Sequence, residues 1–297
     1  MKFIKLYESF EDIDSICKKY YIENYTINSD GSIDVDGNVY LSDRKLIKLP
    51  LKFGKVSGGF SCSYNKLETL EGCPHSVGDY FNCNNNQLTS LEGCPQSVGG
   101  YFSCYSNQLT TLEGCPQSVG GTFNCAYNKL TTLEEGPRSV GGGFDCSYNE
   151  LISLKGCPKS VDGYFDCGYN ELTTLEGCPK SVGGYFSCRN NLLTTLEGCP
   201  QSVGGNFDFG INQLKDLYGF LEFFDGLIHY TNNPVEKILD LFKFKTNRVD
   251  KVIDLLNEYG VIQQDGKLVI LDRLEEVFHT LNLEIPKEIN LANYEVD

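Results

Sequence analysis

Nine asparagines, Asn65, Asn86, Asn107, Asn128, Asn149, Asn170, Asn191, Asn212 and Asn233, follow one another at intervals of 21 residues. Such a period dictates a stack of like coils, because one short unit cannot bury its own apolar face without neighbours. A full unit runs from Pro95 to Cys115, PQSVGGYFSCYSNQLTTLEGC, and five consecutive units keep nearly that wording. Upstream the frame continues in Val39, Leu41, Leu46 and Leu49, with Arg44 in the asparagine slot. Downstream it continues in Ile228, Tyr230, Asn233 and Val235, which makes ten coils from about residue 39 to residue 235.

Within a unit, the alternation in Tyr101-Phe102-Ser103-Cys104-Tyr105 predicts one short parallel strand. Phe102 and Cys104 point inward, and Tyr101, Ser103 and Tyr105 point to an open face. Leu109, Leu112, Cys115 and Val98 fill the interior behind the sheet. The asparagine sits where the chain leaves the sheet, placed to bond backbone groups of adjacent coils that burial would otherwise orphan. Gly99-Gly100 reads as a sharp entry to the strand at which glycine allows positive φ, and Pro95 as the start of an extended convex segment. A phosphate cradle would need a helix N-terminus after the glycines, and the pattern there is a strand.

These units resemble the leucine-rich repeat, L-x-x-L-x-L-x-x-N-x-L, with Phe102 and Cys104 in the second and third apolar positions and Leu109 in the last. More narrowly they resemble the short bacterial and viral class, and the wording LTTLEGCPxSVGGxFxC is similar to repeats of phage-encoded leucine-rich repeat proteins. The resemblance implies an α+β solenoid with a parallel sheet on its concave face and a largely non-helical convex side. A phage origin and action on a host protein are further implications. The SVGG segment is longer than in the short repeats of bacterial effectors. A ubiquitin-ligase activity of the kind some effectors carry would need a nucleophilic Cys after the repeats, and no Cys occurs beyond Cys199.

The 14 cysteines invite a disulfide or zinc interpretation. Cys62, Cys83, Cys104, Cys125, Cys146, Cys167 and Cys188 form one column, in which Leu41, Phe209 and Tyr230 occupy the same slot. Cys73, Cys94, Cys115, Cys157, Cys178 and Cys199 form a second, interrupted by Gly136, and Cys17 stands alone. Residues that exchange with Leu and Phe act as apolar filler. In-register neighbours keep Cβ atoms about 4.8 Å apart, beyond the usual disulfide spacing, and no four thiols converge as zinc requires. The expectation is a ladder of reduced thiols in a reducing, cytoplasmic setting.

Residues 1–38 read as an N-terminal cap: a helix from about Phe10 to Tyr20, then strands at Tyr25–Ile27 and Ser32–Val35 turned at Asp30-Gly31. Residues 39–235 are the solenoid. Residues 236–297 read as a C-terminal helical cap with a hairpin: helical spacing to Phe242 and from Val249 to Tyr259, a turn at Gln264–Lys267, and a helix from Leu271 to Leu281. Lys+Arg 25 against Asp+Glu 40 gives a formal charge of -15, which repels nucleic acid and anionic lipid. No apolar run reaches the roughly 20 residues of a membrane helix, and charges break the N-terminus before a signal core forms.

The three histidines, His75, His229 and His279, fall on separate elements and assemble no catalytic triad, so no enzyme and no cofactor are expected. Specificity should lie in the variable open-face columns. The central one runs Tyr40, Ser61, Asn82, Ser103, Asn124, Asp145, Asp166, Ser187, Asp208, His229. Its flanks carry Tyr80, Tyr101, Tyr164 and Tyr185 on one side and Tyr105 and Arg189 on the other, with Tyr64, Tyr127, Tyr148 and Tyr169 at the rim. Tyr, Ser, Asn and Gly in this mixture resemble antibody binding loops. The expected activity is therefore that of a monomeric interaction module whose contact residues are Tyr80, Tyr101, Tyr105, Asp145, Tyr164, Asp166, Tyr185, Arg189, Asp208 and His229. Two alternatives are a virion-associated structural or host-recognition protein and a small-ligand or cation binder using Asp145, Asp166 and Asp208.

Overall fold

The computed structural model describes residues 13–220, 223–224, 226–242, 249–263, 266–291 and 294–297. Ten two-residue strands, from Val39–Tyr40 through Phe102–Ser103 and Phe165–Asp166 to Ile228–His229, form one parallel sheet. Every pairing joins residues one period apart, as in Phe123 with Phe102 and Phe144. The inward phenylalanines therefore stack on each other: ring centroids lie 5.8 Å apart for Phe60 and Phe81, and 5.3 Å apart for Phe102 and Phe123. Phe102, Cys104, Leu109 and Leu112 are fully buried, and Cys115 and Val98 nearly so. Each buried Phe or Leu contributes about 1.5–3 kcal/mol, so a coil is stable in the stack and not alone. This is a leucine-rich-repeat-type solenoid.

The asparagine column bonds as its position predicts. Asn149 Oδ1 accepts from Leu130 N–H of the preceding coil at 2.9 Å. Its Nδ2 faces Cys125 O at 3.1 Å and Cys146 O and Ser147 O at 3.2 Å. The same pattern recurs from Asn65 to Asn233. One amide thus ties two coils together through groups that have no water to turn to.

The SVGG segment corrects the sequence reading. Its Ser-Val pair is itself a strand, and these pairs build a second parallel ladder around the corner from the first. Gly99 and Gly100 do not have positive φ. They are glycines because the coils touch: a Cβ on Gly99, Gly120 or Gly141 would overlap the carbonyl oxygen of the residue one coil earlier. Positive φ is found instead at the Gly114 column (φ 85) and at the residue before each asparagine, including Tyr127 (φ 56), Tyr148 (φ 53) and Ile211 (φ 53).

The second ladder is interrupted once among the described residues. It comprises seven strands, Tyr25–Ile27 to Ser139–Val140, and then four, Ser160–Val161 to Phe223–Phe224. Asp162 stands at this break. The N–H in this slot bonds the preceding coil's valine carbonyl in neighbouring units, as in Gly120 to Val98 at 3.0 Å and Gly183 to Val161 at 2.9 Å. Asp162, which carries a side chain in this slot, makes no such bond to Val140, whereas Ser57, in the same slot at the start of the ladder, bonds Val35 O at 3.0 Å. The ten-stranded sheet continues unbroken past this point, through Phe144–Asp145 and Phe165–Asp166.

All the cysteines are free thiols, and the first column is fully buried. Cys83 Sγ donates to Ser103 O at 3.4 Å and Cys167 Sγ to Ser187 O at 3.3 Å, so these thiols also bridge coils. Burial pushes the Cys94 thiol up to about 12 and also raises the Cys104 and Cys125 thiols. Such thiols stay protonated and unreactive.

At the N-terminal end residues 13–20 are helical, and Phe10 lies outside the described residues. The hairpin Tyr25–Ile27 with Ile33–Val35 heads the second ladder through Phe53–Val56. After the coils come helices Glu236–Asp240, Val249–Glu258 and Leu271–Thr280. Ile262–Gln263 pairs antiparallel with Leu268–Val269 across a turn whose first residues lie outside the described set, and Glu295–Val296, unforeseen in the sequence, adds a third strand. Tyr294 Oη donates to Lys215 O at 2.9 Å, which ties this region to a late coil. No described helix is long and apolar enough to cross a membrane.

Candidate functional site

The outward face of the ten-stranded sheet is not a uniform plane. Its central serines are sunk: Ser61, Ser103 and Ser187 are buried between taller flanking residues, although they point away from the core. On one flank the tyrosines stand in two stacked pairs. Tyr80 and Tyr101 rings are 5.0 Å apart at 6°, and Tyr164 and Tyr185 are 4.9 Å apart at 5°. Tyr80 lies over Gly59 and Tyr164 over Gly143, each filling the room a missing side chain leaves one coil earlier. Such pairs are worth about 0.5–1.5 kcal/mol beyond area burial, so part of each tyrosine serves the fold. Tyr101 and Tyr185 remain exposed.

The opposite rim is a longer stack. Tyr127 and Tyr148 lie 4.1 Å apart at 15°, Tyr148 and Tyr169 4.1 Å apart at 8°, and Tyr105 leans on Tyr127 at 5.0 Å and 57°. Hydrogen bonds with Tyr127 and Tyr169 push the Tyr148 phenol up. Burial, then the charges of Asp145 and Asp166, does the same to Tyr164. The Tyr148 and Tyr164 hydroxyls are thus neutral at ordinary pH, able to donate and accept.

Between these stacks lie the acidic residues. Asp145 Oδ1 accepts from Ser147 N–H at 3.0 Å and Ser147 Oγ at 2.6 Å, and Asn124 Nδ2 donates to its Oδ2 at 3.2 Å. Asp166 Oδ1 accepts from Gly168 N–H at 2.9 Å, and Asp208 Oδ1 from Gly210 N–H at 2.9 Å. Burial raises the Asp145 carboxyl. The same cause, reinforced by the charges of Asp145 and Asp208, pushes the Asp166 carboxyl up to about 6. Arg189 Nη1 reaches Asp208 Oδ2 at 3.5 Å.

A depression of about 430 Å³ opens here. Of the residues singled out by sequence, it gathers Asp166, Tyr185, Arg189, Asp208 and His229, and it adds Tyr148 and Tyr169 from the rim. Tyr80, Tyr101, Tyr105, Asp145 and Tyr164 lie outside it on the same sheet, the first two as a separate stacked pair. The three aspartates form no cation cage. Asp145 and Asp166 are direct cross-strand neighbours, whereas Ser187 stands between Asp166 and Asp208. Among the described residues no three His, Cys, Asp or Glu side chains converge as a metal site. His75 adjoins the second ladder, His229 lies on the outward face and His279 on the last helix.

No protein-family profile and no curated protein matches the sequence. Among solved structures, YopM from Yersinia enterocolitica WA-314 is similar at 20% identity and a TM-score of 0.43, covering 66% of this chain and 48% of that chain. The chain thus spans about half of that protein's length. At this level the likeness bears on no function, and the leucine-rich repeat assignment rests on the 21-residue register, the inward apolar columns and the asparagine ladder.

Proposed function

We propose that this protein is a non-enzymatic interaction module that binds a protein partner on the face of its ten-stranded sheet. The observation that carries the reading is the pair of tyrosine stacks bordering the depression that holds Asp166, Arg189 and Asp208. Ser and Asn suffice to keep a sheet face wet. Stacked, half-exposed tyrosines instead offer large rigid contact area at low entropy cost, which is what binding surfaces use. The rigid coil register supports this, because a partner meets a preorganised surface. The resemblance of the repeat wording to phage-encoded repeats makes a bacterial protein the partner to seek, and the free thiols suit a reducing cytoplasm.

The test is affinity capture from a bacterial lysate with three baits: wild type, Tyr164→Ala with Tyr185→Ala, and Asp145→Lys with Asp166→Lys. A protein retained by the wild type and lost from both variants, with unfolding midpoints that show all three folded, supports the reading. Equal capture by all three removes this face from it.

A further inference from the structure

Asp208 and Asp166 sit in two equivalent seats, two coils apart. In each, the aspartate Oδ1 accepts the N–H of a glycine two residues on, Gly210 or Gly168. Each glycine leaves room over the sheet. The point where a Cβ would stand on Gly210 is 3.1 Å from Asp208 Oδ1 and 3.2 Å from Thr231 O of the next coil. On Gly168 the corresponding distances are 3.1 Å from Asp166 Oδ1 and 3.0 Å from Arg189 O. Both seats therefore offer a carboxylate and a backbone carbonyl around one small space, and the Asp166 seat adds the Ser187 hydroxyl, 3.4 Å from the Gly168 Cβ point and bonded to Asp166.

The chain shows what such a seat takes. Arg189, from the coil before Asp208, lays its guanidinium there: Nη1 is 3.0 Å from the Gly210 Cβ point and 3.5 Å from Asp208 Oδ2. The residue that corresponds to Arg189 for the Asp166 seat is Ser147, whose hydroxyl turns to Asp145 instead. Asp166 is bonded by the Gly168 N–H and the Ser187 hydroxyl, but among the described residues it has no ion-pair partner, although it is largely buried and lies beside Asp145. Tyr148 and Tyr169 line the same depression, with rings suited to contact a flat cation.

Resting on the reading of this face as a binding surface, we propose that the Asp166–Gly168 seat receives the guanidinium of an arginine from the partner, in the manner of Arg189 over Asp208–Gly210. The partner segment is accordingly basic, complementary to an acidic protein of formal charge -15. A planar guanidinium fork can satisfy a carboxylate and a carbonyl together, whereas among the described residues no three His, Cys, Asp or Glu side chains gather here to hold a metal ion.

L-arginine amide is the probe, titrated in about 0.15 M salt, where long-range attraction is screened over about 8 Å, against the isotopically labelled full chain. The backbone amide resonances of Gly168 and Gly210 are followed. The expected result is a saturable shift at Gly168, at least tenfold weaker in Asp166→Asn and in Ser147→Arg, which supplies the seat with a guanidinium from its own chain. Norleucine amide should produce no saturable shift. Absence of saturation with arginine amide, or unchanged binding in both variants, overturns the proposal. Because the probe needs no protein partner, this outcome is independent of the capture experiment, on which the broader reading stands or falls.

Discussion

Replacing Gly120 by alanine tests whether the glycines of the SVGG segment exist for contact or for conformation. The φ of Gly120 lies outside the positive region, so alanine is conformationally permitted there and would tend to stabilise by restricting the unfolded chain, by about 0.4–1 kcal/mol. Against this, its Cβ would overlap the Gly99 carbonyl oxygen, and the two coils must part. Parting breaks Gly120 N–H to Val98 O at 3.0 Å and Gly121 N–H to Gly100 O at 2.8 Å. Two backbone bonds at about 1 kcal/mol each, with Val119 loosened from a site where it is 1% exposed, give a loss of about 2–3 kcal/mol before the unfolded-state gain. The net expectation is destabilisation by about 1–2 kcal/mol, read from urea midpoints and from loss of hydrogen-exchange protection at residues 120 and 121. The reverse change, Asp162→Gly, should close the interruption between Ser139–Val140 and Ser160–Val161 and raise the midpoint. If Gly120→Ala leaves midpoint and protection unchanged, close approach is not why these positions are glycine.

Other substitutions probe the rest of the frame. Asn149→Ala leaves the buried Leu130 N–H without its acceptor and removes three contacts to carbonyls, so it should cost about 2–4 kcal/mol, read as a fall in the unfolding midpoint. Ile211 is β-branched at φ 53, where neighbouring coils hold Asn190 and Asn232 at φ 55 and φ 60, so Ile211→Asn should stabilise by about 1 kcal/mol. For Asp166 the folded carboxyl is raised to about 6 by burial and by Asp145 and Asp208, so the fold favours its neutral form. Its contribution is fully present below about pH 4 and is lost as pH rises towards 6, on the order of 2–3 kcal/mol. The pH slope of stability in that window should flatten in Asp166→Asn, and an identical slope would contradict the burial argument.

The first sheet was legible because its signal repeats: each unit restates which residues face inward, and ten restatements outweigh any local ambiguity. The second ladder was not, because a two-residue Ser-Val strand is too short to alternate and its partners lie a full period away. Glycine composition alone does not separate positive φ from close contact, and Gly99 was assigned the wrong one of the two. Asp162, a side-chain-bearing residue in the Gly99 column, stands where the ladder opens, while Ser57 holds the same slot with its bond to Val35 O intact. The tyrosines and aspartates were readable as an outward set, but not their division into stacks and a depression. That division depends on what stands one coil away, such as Gly143 beneath Tyr164 or Gly210 beneath Arg189.

This dependence across coils is also how such a frame acquires a site without altering its backbone. The asparagine, phenylalanine and close-contact glycine columns hold register so tightly that a side chain in one coil arrives at a fixed place over the next, about 4.8 Å away. A glycine at position 210 then makes room, an aspartate at 208 supplies charge, and an arginine at 189 fills the space, with each residue coming from a variable column and none disturbing the ladder. The same logic, with Ser147 in place of arginine, leaves the Asp166 carboxylate without an ion pair. In a templated stack, recognition is therefore written as departures from the repeat, and a chemical difference between two otherwise equivalent coils is the place to look for the partner's contribution.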